Sequence, residues 1–299
     1  MSIEIFLFLY YNQLGEVERK TIYMNYNLIR EKEHEEDLKR ISILRYIDDD
    51  FMSICFDGFI EGAELVLNTI LDRSDLSVIS VKTQVHISSF DNRSIWLDVL
   101  AVDRDNKIYN IEIQRSDSGA SFKRARYHSS ALDSKYLMKG KNFSELPETY
   151  VIFITENDVI GEDKPIYFVE RIIIDSDKSF DDGEHIIYVN GAYKDDGTEL
   201  GRLMHDFFCT NPDDMNFDVL AKRARYYKKD EKGVMTMCKV LEDMRNEVRE
   251  EAREEGRKEG EQRGLILAYL QNEISQSAVM RILNITDDKF NDLVACYNQ

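Results

Sequence analysis

The sequence predicts an α/β fold: a mixed sheet flanked by helices, followed by a helical C-terminal extension. Three observations carry this reading. Apolar residues recur at helical spacing ahead of the first strand-like run, a hairpin signature follows it, and a short, almost wholly apolar run comes after the next helix.

The opening run Ile3-Glu4-Ile5-Phe6-Leu7-Phe8-Leu9-Tyr10-Tyr11 is shorter than the roughly 20 apolar residues that span a bilayer. It also lacks the basic start and small-residue cleavage site of a secretory signal, so it reads as an extra strand. Met24 is an alternative natural start, which would make the first 23 residues an added extension. Residues 50–71 carry Phe51, Cys55, Phe59, Ala63, Val66 and Ile70, the apolar stripe of one helix. Residues 78–87 form the first strand. Residues 94–102 and 107–114 form the second and third, joined by the turn-forming Asp103-Arg104-Asp105-Asn106. A helix over residues 121–138 ends near Gly140, and residues 150–155 read as a strand buried on both faces.

Residues 165–174 and 185–190 read as further strands, a hairpin beside the main sheet, with Asp181-Asp182-Gly183 supplying turn chemistry. Helical material runs over residues 199–244. The stretch 246–265 is a charged helix supported at i,i+4 by Glu254 with Lys258 and Glu259 with Arg263, while Gly256, Gly260 and Gly264 recur every fourth residue. Each glycine costs about 1 kcal/mol relative to alanine. Close pairing of this helix between protomers, giving a homo-oligomer, is one reason to keep them; a solvated linker is the other. Residues 266–299 form short helices, broken at Asn284, with Thr286 capping the last one ahead of Asp287 and Asp288. Only Arg281 and Lys289 are basic there, which favours a packing or docking module over a reader of DNA.

Composition bounds the function classes. The 299 residues, 43% of them hydrophobic and 11% aromatic, support a substantial core and exclude global disorder. The four cysteines, Cys55, Cys209, Cys238 and Cys296, form no CxxC pair, and the five histidines show no ligand spacing, so no zinc site is expected. Scattered thiols point to reduced cysteines and a cytoplasmic protein, with no membrane span.

The chemistry concentrates on two neighbouring strands. Side chains alternate along a strand, so Asn110, Glu112 and Gln114 share one face while Ile111 and Ile113 take the other. Asp98 projects with Trp96 from the preceding strand. If the two acidic faces coincide, two carboxylates converge in an apolar sheet, where ionised acids are costly unless a positive charge compensates them. A hard divalent cation such as Mg²⁺ is suited to that place, held by one or two carboxylates and keeping several waters. Two acids on a solvated sheet face are the alternative.

Asp98, the gap of 13 residues, Glu112-Ile113-Gln114, Phe122, Arg126-Tyr127, Gly140, Leu146-Pro147 and the strand 150–155 together resemble the Rpn-type branch of the PD-(D/E)xK nucleases, often described as a nuclease-family transposase. The resemblance extends over about residues 47–220, and Asp48 with Phe51 matches the family's lead-in Asp-x-x-Phe. It implies a restriction-endonuclease-like core that cleaves DNA phosphodiesters with Mg²⁺ or Mn²⁺, in a setting of recombination, mobile elements or defence. Asp98, Glu112 and Gln114 would be catalytic. Asp98, Glu112 and the backbone carbonyl of Ile113 would hold the metal. Related nucleases often add an acid from the first helix, here Glu61 or Glu64, although the solvated side of an amphipathic helix also accounts for both.

Gln114 stands where the wider superfamily has lysine, and an amide supplies no charge. Lys82 and Lys123 are candidates for the missing positive group. The organisation expected is a lead over residues 1–45, the nuclease domain over 46–200, a helical extension over 201–245, the glycine-spaced helix over 246–264 and a small tail over 265–299.

The net charge of −18 sets long-range repulsion against a DNA partner. Screening limits that repulsion to a Debye length of about 8 Å at physiological salt, so local charge decides. Residues 115–141 hold seven basic residues against two acids, a net of +5. Lys123, Arg124, Arg126 and Tyr127 are the expected DNA contacts. His128, next along the helix, reads as an ordinary surface histidine. A catalytically inactive relative that binds nucleic acid or protein through the same surface is the competing function.

Overall fold

A computed structural model describes residues 16–88 and 93–297. It falls into two compact units, Met1–Thr236 and Met237–Gln299. The strand expected over residues 3–11 lies outside the described residues.

The first unit opens with α1 (Glu16–Ile43), α2 (Asp49–Phe56) and α3 (Ile60–Ile70). The single stripe expected over residues 50–71 is therefore two helices. Gly58 turns the chain through φ +64°, a left-handed conformation that glycine adopts without a Cβ penalty. Burial follows the predicted stripe in both pieces, with Phe51, Cys55, Ala63, Val66 and Ile70 in the core.

The sheet comprises β1 (Val78–Ile87), β2 (Ile95–Asp103), β3 (Ile108–Gln114), β4 (Thr149–Thr155), β5 (Ile166–Val169) and, after a two-stranded hairpin of β6 (Ile172–Ile173) and β7 (Lys178–Ser179), β8 (Glu184–Asn190). Its order is β1-β2-β3-β4-β8-β5. β1, β2 and β3 run antiparallel, β3, β4 and β8 parallel, and β5 returns antiparallel to β8 at the edge. The expected second hairpin is thus part of the main sheet. Parallel neighbours need a crossover. Between β3 and β4 that crossover is α4 (Phe122–Tyr136), which starts at the Ser121 cap. Central strands of this kind are buried on both faces, as β4 is through Val151, Ile152, Phe153 and Ile154.

The β2–β3 turn is held by buried Asp103, which accepts hydrogen bonds from Asp105 N, Lys107 N and Tyr109 OH. After β8, α5 (Glu199–Phe208) and α6 (Asp218–Lys229) complete the unit. Buried Asp206 fixes their connection by accepting from Asn216 N at 2.7 Å and Phe217 N at 2.8 Å.

The helix α7 (Glu231–Leu270) is continuous through the glycine-spaced segment. Gly256, Gly260 and Gly264 face open space within 4 Å of where a Cβ would stand. In the second unit, Ile266 near the end of α7 packs with Val279 of α8 (Gln276–Leu283) and with Phe290 and Leu293 of α9 (Asp287–Tyr297). Asn284 closes α8 in the left-handed conformation at φ +51°. Among the described residues no helix is long and apolar enough to cross a membrane.

Candidate active site

β2 and β3 pair from Val102↔Ile108 to Val99↔Ile111. Beyond that point side chains join the strands. Asp98 Oδ2 accepts a hydrogen bond from Ile113 N at 2.9 Å, and Glu112 Oε1 accepts from Asp98 N at 3.3 Å. The two carboxylates predicted from strand alternation therefore do converge, each bonded to backbone beside the other. Glu112 is 0% exposed, which makes its charge costly unless it is compensated. Burial and the neighbouring Glu112 charge push the Asp98 carboxyl up to about 8, against the Ile113 N–H and Arg124, which pull it down.

Compensation comes from α4. Arg124 Nη2 lies 3.4 Å from Glu112 Oε2, its Nε donates to His128 Nε2 at 3.2 Å, and its Nη1 donates to the Gly119 carbonyl at 3.1 Å and approaches Gln114 Oε1 at 3.5 Å. An arginine N–H can only donate, so Nε2 is the accepting ring nitrogen and the imidazole proton sits on Nδ1. Nδ1 faces Glu112 Oε1 at 3.4 Å, and the Asn110 amide nitrogen stands 3.2 Å from it. Two donors cannot bond, so Nδ1–H is complemented by Glu112, and by the Asn110 amide only when its oxygen is turned to the ring. His128 is 1% exposed, so the surface position expected from the sequence is corrected: its ring lies between helix and sheet. Asn110 is buried beside it, and its Oδ1 has no hydrogen-bond partner among the described residues.

The helical acids sit differently from the expectation. Glu64 accepts from Val78 N at 2.9 Å. Val78 pairs with Asp103, five residues along β2 from Asp98 and so about 17 Å away at the strand rise. Glu61 is exposed and shares a groove with Phe59 and with Lys222, Arg223 and Tyr226 of α6. Neither joins the Asp98–Glu112 pair. Asp49, at the start of α2, is within electrostatic reach: its charge raises the Asp98 carboxyl, and the Glu112 charge raises its own. Its own carboxyl is held above the ordinary range by partial desolvation and then by Asp50, Asp48 and Glu112, opposed by Arg115. It is an acid near the pair that the sequence reading did not single out, lying in the run Asp48-Asp49-Asp50, of which only the first member belongs to the lead-in motif.

The basic segment divides in the same way. Arg115 is paired with Asp48 at 3.1 Å and Glu156 at 3.2 Å. Arg124 is half-buried and turns its guanidinium to the acid pair, while Lys123, Arg126 and Tyr127 are exposed on α4, with the Tyr127 hydroxyl donating to the Arg93 carbonyl. Lys82, on β1 opposite Leu100, is exposed. A groove of about 600 Å³ beside Asp49 is lined by Arg40, Arg45, Asp48 and Arg115.

No group of three or more His, Cys, Asp or Glu side chains arranged to hold a metal occurs among the described residues. Two carboxylates with a backbone carbonyl suit a hard cation that keeps much of its water, and a buried glutamate beside an aspartate that resists ionisation is the donor chemistry such an ion would relieve. The two carboxylates are chemically suited to a divalent metal ion.

A mixed sheet with one helical crossover, carrying paired acids where β2 and β3 separate, defines the class as a nuclease-type α/β domain of restriction-endonuclease-like build. A family model described as PD-(D/E)XK nuclease family transposase matches residues 65–259, about two thirds of the chain, and the protein belongs to that family. No curated relative and no solved structure matched. The matched region starts within α3, after Asp48 and Asp49, and runs into the charged part of α7.

Proposed function

We propose that this nuclease-family protein is a metal-dependent DNA endonuclease, with Asp98, Glu112 and the Ile113 carbonyl as the metal-holding set and Gln114 as a catalytic neighbour. The observation that carries the reading is the meeting of Asp98 with fully buried Glu112, one of them driven up to about 8 by burial and by the other's charge. A site built only for stability gains nothing from that repulsion, whereas a site for a divalent ion uses it. When bound, the ion would polarise the phosphate and make water nucleophilic near neutral pH.

The chain's own residues supply the rest. Asp98 is aimed by Ile113 N, and Glu112 is fixed by Asp98 N and by His128. Exposed Lys123 and Arg126 on α4, with Tyr127, offer phosphate contacts around the site. The transposase description of the family supports DNA as the substrate and mobile-element or recombination chemistry as the setting. Residues 246–264, on continuous α7, are the segment we propose for homo-oligomer formation; α7 runs unbroken across the expected divisions at 245/246 and 264/265.

Incubating the purified protein with supercoiled plasmid in Mg²⁺, Mn²⁺ or chelator, beside an Asp98→Ala, Glu112→Ala double variant, tests the function. Metal-dependent nicking that the variant lacks is expected. DNA binding without cleavage under either metal would replace the enzyme with an inactive binding module.

A further inference from the structure

Gln114 leaves the site without the charge that a lysine on β3 would bring, and neither Lys82 nor Lys123 is seen paired with Asp98 or Glu112 among the described residues. We propose that Arg124 takes that part, a guanidinium reaching the scissile phosphate from the first turn of α4 instead of from the sheet. The proposal rests on the nuclease reading above.

Four contacts place the group. Arg124 meets Glu112 Oε2, Gln114 Oε1, the Gly119 carbonyl and His128 Nε2, so it stands at the acid pair and against the residue that replaces the lysine. Its side chain is 38% exposed, whereas Glu112 beneath it is 0% exposed. The guanidinium therefore lies on the solvent side of the Glu112 carboxylate, the side from which a phosphate must approach. The contacts to Glu112 and Gln114 are long, 3.4 and 3.5 Å, which leaves them weak compared with the bidentate bonds arginine makes to a phosphate. Gln114 then has a role of its own, because its Oε1, as an acceptor, steers Arg124, which a lysine at that position would repel.

The chemistry differs from that of lysine in one respect. Arginine stays protonated at any working pH, so Arg124 takes no proton from water. It stabilises negative charge as that charge grows on the phosphate oxygens, a preorganised electrostatic role.

The test uses the full-length protein with Arg124→Ala, Arg124→Lys and the wild type. Plasmid nicking is followed in Mg²⁺, and affinity for a labelled duplex is followed in chelator. Arg124→Ala is expected to lower kcat by about a hundredfold or more, the usual loss for one such donor. Added guanidinium ion, at concentrations far below denaturing, restores part of the rate, and sodium at equal strength does not. Duplex affinity in chelator falls severalfold, and Arg124→Lys lies between wild type and alanine in both measurements.

Arg124→Ala cutting within a few-fold of wild type overturns the proposal while leaving the nuclease intact. So does a folded variant whose lost rate guanidinium fails to restore, because Arg124 then acts only by holding Glu112. If the alanine variant fails to fold, Arg124→Gln, which keeps a donor but no charge, decides: an unchanged kcat and unchanged duplex affinity refute the assignment. A wild-type protein that cuts nothing refutes the nuclease reading itself, and the catalytic assignment falls with it.

Discussion

Asp98 and Glu112 each accept a hydrogen bond from backbone beside the other, Ile113 N to Asp98 Oδ2 at 2.9 Å and Asp98 N to Glu112 Oε1 at 3.3 Å, at the point where their strands stop pairing. The carboxylates thus serve in place of ladder bonds as well as in the proposed site. Their closeness is tolerated because α4 brings Arg124 and His128 against Glu112.

That closeness predicts a pH dependence of stability in metal-free solution. An unfolded aspartate titrates near 3.9, whereas folded Asp98 is raised to about 8. Between those values the folded protein keeps a proton that the unfolded chain releases, so stability from this pair falls as pH rises through the window and levels off above it. The slope is at most about 1.4 kcal/mol per pH unit for one proton. Asp98→Asn retains an acceptor for Ile113 N and removes the charge. Urea denaturation in chelator from about pH 5 to 8 is expected to show a flatter slope and a more stable protein at the upper end. An unchanged slope would assign the dependence to other groups, Asp49 foremost.

Asp49 and Glu64 test which helical acid the proposed site uses. Glu64→Ala removes the acceptor of Val78 N at the start of β1 and is expected to cost about 1–2 kcal/mol while leaving cleavage rate unchanged. Asp49→Ala is expected to leave stability within about 0.5 kcal/mol and to weaken metal affinity, seen as a higher Mg²⁺ concentration for half-maximal cleavage. The reverse pattern would return the helical acid to α3.

The strand pair and its acids are legible in the sequence because a period of two and a turn of four polar residues admit few alternatives, and β1, β2 and β3 lie close to where alternation puts them. The break at Gly58 is not, since apolar spacing continues across it from Cys55 through Phe59 to Ala63. Arg124 and His128 read as outward-facing for a related reason. The face that α4 buries consists of Ala125, His128, Ser129 and Leu132, spaced as a core stripe but mostly small or polar, so periodicity gives no sign of which way the helix turns. A buried histidine one turn from an arginine is visible only once Glu112 is placed beneath them.

His128 gives the third expectation. His128→Ala opens a cavity and leaves Glu112 Oε1 and Arg124 Nε without that partner, both next to a fully buried carboxylate. A loss of about 2–4 kcal/mol is expected by urea denaturation at neutral pH. A loss below about 0.5 kcal/mol, the range of an ordinary surface substitution, would show that the ring contributes nothing to holding Glu112.

Gly119 tests whether Gln114 works by steering Arg124. A Cβ at Gly119 would collide with the Gln114 amide, overlapping Oε1 and standing 3.0 Å from Cδ, with Arg124 Nη1 next at 3.6 Å. The obstacle is the far end of a flexible side chain, so Gly119→Ala displaces the amide and spares the backbone. Stability is expected to stay within about 1 kcal/mol, since alanine also stiffens the unfolded chain. Cleavage is expected to fall about tenfold to a hundredfold, as small misplacements near a reacting centre do. If the effect travels through the amide, Gly119→Ala adds little to Gln114→Ala, because two changes that break one contact are not additive. Fully multiplicative rate losses in the double variant would show that Gly119 and Gln114 act separately, and Gln114 would then need a role other than holding the guanidinium.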